Sequence, residues 1–459
     1  MALVQCVLQL WLAVGPLASL ESFSSFPLVG FQFPALPASN SITTPIRSIV
    51  PNEQEDNHKV ESPFKSRHYV YDYSQVTEIP IEPSDDNPSQ DGFTKQRCYP
   101  GSDPTEEQYC VYANPSFGED RGMVLYIRPS HLLKKLDSFT IFKHDSHLLT
   151  DKRRAEFPYK LVHMPTKGGL GAVADRKINI GEVVIEDYSL IVITADISEI
   201  DLQEWAPRLK YMVDLLPIKG REIDTAWIVS AFERNVFLAQ RDDNIAGGCA
   251  FAPEPAYLNH DCRPNVGYVF NNVTLQVEMH ALREIAPGEE LTISYIKLVQ
   301  SREKRRAKLH HTYGFHCGCS QCSLSDAESA ASDLRLEKLI EMWDVVADWE
   351  ATPPPSPAMA EEIIEIFKTE RMDVVMEEPY TMAALVYNSW GLTHEARKYA
   401  SLAISYGAYV SGKTWIEESP HLSLIYDPEN HWSYNIRKEM ESGEALSNSA
   451  NHIHTHAEL

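Results

Sequence analysis

Three cysteines within six residues, Cys317-x-Cys319-x2-Cys322, constrain this chain more than any other feature. The spacing is too dense for ordinary disulfide geometry within the trio, but it suits thiolates wrapping a tetrahedral zinc. Such a site takes four ligands. Cys262 is an upstream candidate, inside the run Asn259-His260-Asp261-Cys262-Arg263-Pro264-Asn265. A pair of disulfides among the same four residues is the competing reading. Between them lies Gly288-Glu289-Glu290-Leu291-Thr292-Ile293-Ser294-Tyr295, a turn running into a strand. Taken singly, each piece has an ordinary explanation as a polar turn, a hairpin turn or a small core residue.

Order changes that. Upstream, Lys167-Gly168-Gly169-Leu170-Gly171-Ala172-Val173-Ala174 is followed by Ile180-Gly181-Glu182-Val183-Val184. Together, the four motifs resemble the SET domain of protein lysine methyltransferases with its post-SET zinc knot. The resemblance covers roughly residues 157–325 and is nearest to the SET–MYND and fungal split-SET branch. The MYND finger of that branch is missing, since no cysteine lies between Gly171 and Cys249.

The resemblance implies an α+β fold: small sheets with inserted helices and a zinc knot, followed here by an all-α region. It also implies methyl transfer from S-adenosyl-L-methionine to a lysine side chain. Gly169, Leu170 and Gly171 would bring backbone close to that cofactor, since glycine lacks the Cβ that would keep it away. Asn259 and His260 match the cofactor-binding pair, Asn235 a further contact, and Phe315 the aromatic against the adenine. Tyr295 takes the catalytic position, its hydroxyl beside the departing methyl, and Tyr313 is the other aromatic of the lysine channel. Cys262, Cys317, Cys319 and Cys322 match the structural zinc ligands. Asp261 stands where the family usually has Ser, which adds charge near the site. A catalytically silent scaffold is the alternative. Retention of Tyr295, Tyr313, Asn259 and His260 together favours the enzyme.

With 41 basic and 65 acidic residues the formal charge is −24, which argues against a nucleic-acid-coating protein. It suits basic protein partners such as lysine-rich, histone-like tails. Residues 1–22 are apolar and end in small residues, like a signal-peptide core, and are short for a membrane span. No other stretch is apolar enough to cross a bilayer. That start implies a secretory or extracellular route; a thiolate zinc site implies the nucleus or cytoplasm instead. Cys98 and Cys110 enclose a short polar loop suited to a disulfide, and Asn272-Val273-Thr274 is the one glycosylation sequon.

Residues 23–96 are rich in Ser, Pro and Asn and read as a linker. Residues 97–150 form a small segment with a strand at Gly122 to Ile127, a lid or dock for the next domain. The SET-like part spans 157–300, with strands at Val183 to Ile185 and Ser189 to Ile193. A helical insertion occupies about 200–245, carried by Leu209, Met212, Val213, Leu216, Trp227, Val229, Phe232 and Phe237. Strands return at Val266 to Phe270, Thr274 to His280 and Leu291 to Tyr295. In the zinc segment, 301–325, the basic run Arg302 to Lys308 reads as a solvated helix face. Residues 326–450 are helical. Thr381 to Trp390 and Thr393 to Tyr409 read as a tetratricopeptide-type pair that must pack on neighbours and offers a surface to a protein partner. His452, His454 and His456 read as a frayed tail.

Overall fold

In chain order the strands are β1 (Thr94–Tyr99), β2 (Tyr109–Asn114), β3 (Met123–Ile127), β4 (Tyr159–Met164), β5 (Gly169–Ala174), β6 (Val183–Tyr188) and β7 (Ile191–Ile193). They continue as β8 (Phe237–Ala239), β9 (Gly248–Phe251), β10 (Asn259–His260), β11 (Val266–Asn271), β12 (Gln276–Ala281) and β13 (Thr292–Ile293). The computed structural model describes residues 92–99, 106–117, 121–132, 156–167, 169–194, 202–217, 236–239, 248–271, 274–411, 416 and 419–442. The signal-like start, nearly all of the linker, Asn235, Asn272 and Val273 of the sequon, much of the helical insertion and the C-terminal histidines lie outside them.

The largest sheet runs β1-β2-β3-β7-β9-β8, with β3 and β7 parallel. Every residue of β2 and β3 is buried. Alternation explains how: side chains of a strand point to opposite faces in turn. Val111, Val124 and Tyr126 join one core with Leu209, Met212 and Val213 of α1 (Leu202–Asp214). Tyr112, Met123 and Leu125 join the other, with Val184, Ile185, Val277 and Met279. The segment expected to be a lid or dock is therefore part of the central sheet. Cys98 and Cys110 face each other across β1 and β2 as a disulfide.

The sheet β11-β12-β6 and the hairpin β4-β5 complete the outer frame of the site. The strands expected at 183–185, 189–193, 266–270 and 274–280 all appear, with ends shifted by a few residues. Phe237 is a correction: it was counted in the helical run but begins β8, paired with Ala250 of β9. A short apolar run fits either period, and pairing with a neighbouring strand decided it.

Helix α2 (Arg302–Tyr313) is capped by Ser301 and stopped by Gly314 at φ 75°. One of its basic residues contradicts the solvated reading: Arg305 is buried and donates to the Gln300 carbonyl. Then come α3 (Asp326–Ala347), opened by a Ser325/Glu328 capping box, α4 (Pro357–Thr369), α5 (Glu377–Ser389) and α6 (Thr393–Ser411). Their inward faces share one core that includes Leu336, Ile363, Phe367, Ala384 and Ala400. Helix α6 also packs on β11 and β12. At that seam a Cβ on Gly267 would lie 2.9 Å from Val410, and one on Gly181, at φ 76°, would lie 2.6 Å from the Tyr409 ring. Close approach is what requires glycine at both. Among the described residues no helix is long and apolar enough to cross a membrane.

Candidate active site

The site begins with an unusual pairing. Strands β10 and β13 run parallel, Asn259 beside Thr292 and His260 beside Ile293, and the amide of Asp261 donates to the Ile293 carbonyl at 3.0 Å. Two residues per strand make a weak ladder, so side chains must hold it. Asn265, 1% exposed, accepts the Thr292 amide at 2.8 Å and donates to the Glu290 carbonyl at 2.9 Å. Asn265 stands in the Asn-His motif, where nothing in the local sequence marks it as the residue that holds the ladder.

Asn259 Nδ2 donates to the Leu170 carbonyl (3.1 Å) and to Glu290 Oε1 (3.0 Å), and Glu290 pairs with Lys167 at 2.5 Å. This brings the glycine strand, the Asn-His strand and the Gly-Glu-Glu turn together. The two glycines differ. A Cβ on Gly171 would meet Met164 Sδ at 2.5 Å and Asn259 Nδ2 at 2.7 Å, whereas one on Gly169 would meet nothing within 4 Å. Leu170 between them is 44% exposed. The open side of Gly169 is thus the place where a ligand can approach backbone.

His260 is buried, and burial drives its pKa down to about 3, so the ring is neutral. Its Nδ1 accepts the Tyr295 amide at 3.0 Å, which leaves the ring proton on Nε2, 3.3 Å from Cys262 Sγ. An N–H aimed at sulfur suits a thiolate. Asp261 closes a local turn by accepting the Arg263 amide at 2.8 Å, and burial pushes its carboxyl up to about 6.

Tyr295 donates from its hydroxyl to the Leu258 carbonyl at 2.7 Å. Burial holds the phenol well above its ordinary pKa, so it stays a neutral donor. Tyr313 donates to the Tyr295 carbonyl at 3.1 Å, with the two rings 5.0 Å apart. Both border a cleft of about 380 Å³, open mouth included, lined also by Phe237, Leu258, Tyr268 and Ile293. Phe315 lies 6.1 Å from the His260 ring and 6.4 Å from Tyr313. Apart from Asn235, the cofactor and channel residues expected from sequence are linked through Asn259, His260 and Tyr295, and of them Tyr295 and Tyr313 line the cleft. Lining from Tyr268 and Phe237 was missed, because apolar residues in strands carry no local sign of facing a cleft.

Cys262, Cys317, Cys319 and Cys322 offer sulfurs all within 4.8 Å of one another, and Cys262 and Cys322 lie 3.6 Å apart. Four sulfurs at about 2.3 Å from a tetrahedral zinc would sit roughly 3.8 Å from each other, so the set fits. All four are free thiols, which leaves no disulfide among them. Hydrogen bonding within the set lowers the pKa of the Cys319 and Cys322 thiols and raises that of Cys262.

The glycine strand, the Asn-His strand and the four-cysteine cluster are thus joined through Asn259, His260 and Cys262. Residues 169–296 match the family described as the SET domain, and this part of the chain is a SET domain. The chain is 32% identical over 183 residues to histone-lysine N-methyltransferase set5 of Schizosaccharomyces pombe, covering 39% of this chain and 56% of that protein. It is 36% identical over 137 residues to a SET and MYND domain-containing protein of Dictyostelium discoideum, covering 28% and 26%. With human N-lysine methyltransferase SMYD2 it shares 35% over 101 residues, covering 22% and 23%. The chain therefore spans about half the length of the first relative and about a quarter of the other two.

Proposed function

We propose that this chain is a protein-lysine N-methyltransferase that uses S-adenosyl-L-methionine and holds a structural zinc. The observation that carries the reading is the meeting of Tyr295 and Tyr313 at one cleft; the open face of Gly169 lies on the strand that Asn259 bonds. The cofactor, when bound, supplies an electrophilic methyl group on a sulfonium. The chain's own residues do the rest. Aromatic walls from Tyr295, Tyr313, Tyr268 and Phe237 exclude water around an entering lysine side chain and tolerate its charge before deprotonation and after transfer. Transfer needs a neutral amine in line with the methyl, about 3 Å away. Tyr295 cannot remove the proton, because burial keeps its own phenol protonated; it orients, and its bond to the Leu258 carbonyl fixes where. Cys262, Cys317, Cys319 and Cys322 would hold the zinc and tie the segment after α2 to the Asn-His strand.

The chain's acidity supports lysine-rich, histone-like substrates, and the paired helices α5 and α6 support a tetratricopeptide-like docking surface for a protein partner. The Cys98–Cys110 disulfide supports passage through an oxidising compartment, where bound metal would shield the four thiolates. The test is transfer of labelled methyl from S-adenosyl-L-methionine to a panel of basic peptides. Tyr295→Phe should lower the rate by about a hundredfold or more while cofactor affinity stays within about threefold. Equal inertness of wild type and variant, with cofactor still bound, would favour the silent scaffold.

A further inference from the structure

The geometry points to Glu370, at the end of α4, as a positioning residue for the site, through which the helical region holds both segments that carry the cysteines. Its carboxylate is 1% exposed and pairs with Arg263 at 2.9 Å; the Arg263 side chain is wholly buried. Arg263 follows Cys262 directly and donates to the Cys262 carbonyl at 2.7 Å. On the same carboxylate, Gln321 donates at 3.1 Å, and Gln321 precedes Cys322 directly. Ser332 of α3 donates at 2.7 Å and Arg335 pairs with the other oxygen at 2.7 Å, so α3 and α4 both anchor the clamp. One side chain thus fixes the backbone beside Cys262 and beside Cys322, which are 60 residues apart in sequence. The helical region is by this account part of the site, beyond any docking role, and the inference rests on the metal-knot reading above.

A buried charge left without its partner opens its surroundings, because water must enter to solvate it. Glu370→Gln keeps the shape and removes the charge that Arg263 needs. The experiment uses the full chain, alkylated with iodoacetamide under native conditions, with rates read at each cysteine by mass spectrometry. Cys249, fully buried on β9 and outside the network, is the internal reference. In Glu370→Gln, alkylation at Cys262 and Cys322 should rise about tenfold relative to Cys249, reporting local opening. Arg335→Ala removes only the half-exposed partner and should give the same pattern at about threefold, which covers the case of a Glu370 variant that fails to fold. Zinc released to a chromogenic chelator, read in the same samples, should quicken in step. Equal acceleration at Cys249, or unchanged rates at Cys262 and Cys322, would overturn the assignment of Glu370. Zinc missing from the wild type, with the alkylation pattern intact, would overturn the metal reading and leave the clamp supported.

Discussion

The same substitution at two glycines two residues apart separates what the fold requires from what a ligand requires. A Cβ at position 171 would lie 2.7 Å from Asn259 Nδ2 and 2.5 Å from Met164 Sδ. The Met164 side chain can swing away at little cost. Asn259 can leave only by giving up its bonds to the Leu170 carbonyl and to Glu290. Two such bonds at a half-buried site, one of them to a charged acceptor, are together worth about 2 kcal/mol. The lost flexibility of the unfolded chain returns about 0.5 kcal/mol, leaving a net destabilisation of about 1.5 kcal/mol. For a unit of this size that is a fall in Tm of roughly 4 °C. At position 169 the added methyl meets no atom within 4 Å, and the backbone is outside the left-handed region. Gly169→Ala should leave Tm unchanged or raise it by about 1 °C. Calorimetric melting of the two variants measures this order, and titration with S-adenosyl-L-methionine should show Gly169→Ala binding more weakly than its unchanged Tm would suggest. A fall in Tm for Gly169→Ala as large as that for Gly171→Ala would refute the assignment of crowding to one glycine and ligand access to the other.

Two more outcomes come from the geometry. Burial, with the charge of Glu377 adding to it, pushes the Glu378 carboxyl from 4.5 up to about 8. Its folded pKa is thus above its unfolded one, so the stability this gives is complete below about pH 4.5 and is lost as pH rises toward about 8. Glu378→Gln should melt like the wild type at pH 5 and several degrees higher at pH 8; parallel pH profiles would show that the group ionises freely. Cys317→Ser, which removes one of the four sulfurs, should cut zinc content to below about a tenth and lower Tm, and a chelator should lower the wild-type Tm in the same direction. A chelator that strips zinc without moving Tm would exclude a structural role for the metal.

What the sequence disclosed was local chemistry. The close spacing of Cys317, Cys319 and Cys322 is legible because ligand spacing is a short-range property, and Cys262 joins them in space, forming a set that could hold a metal. Strands β11 and β12 were legible on either side of an Asn-Asn turn, and they pair antiparallel. Long-range partners were hidden. Arg263 reads as one more charge in a polar run, yet its partner Glu370 lies 107 residues on, in a helix whose own pattern is amphipathic and unremarkable. Arg305 sits in a basic run that looks solvated, and only the tertiary structure shows it buried. Phe237 was misassigned because three residues of strand have no period of their own.

These hidden partners share a physical reason to exist. The site draws on segments near 170, 260, 290, 315 and 370, and closing loops of that length costs entropy that no two-residue ladder can offset. The β10–β13 pairing is therefore reinforced from three sides: Asn265 beneath it, His260 between Cys262 and the Tyr295 amide, and Glu370 behind Cys262 and Cys322. A metal on the four sulfurs would act on the same junction, holding together chain ends that the helical region already presses into place. Losing either brace should loosen the Tyr295 amide before it unfolds the sheets, because Tyr295 is the residue shared, among those described, by the sheet core around Val184 and the knot's own cluster. Hydrogen exchange should accordingly show the Tyr295 amide opening faster in Glu370→Gln while amides of β2 and β3 keep their wild-type protection.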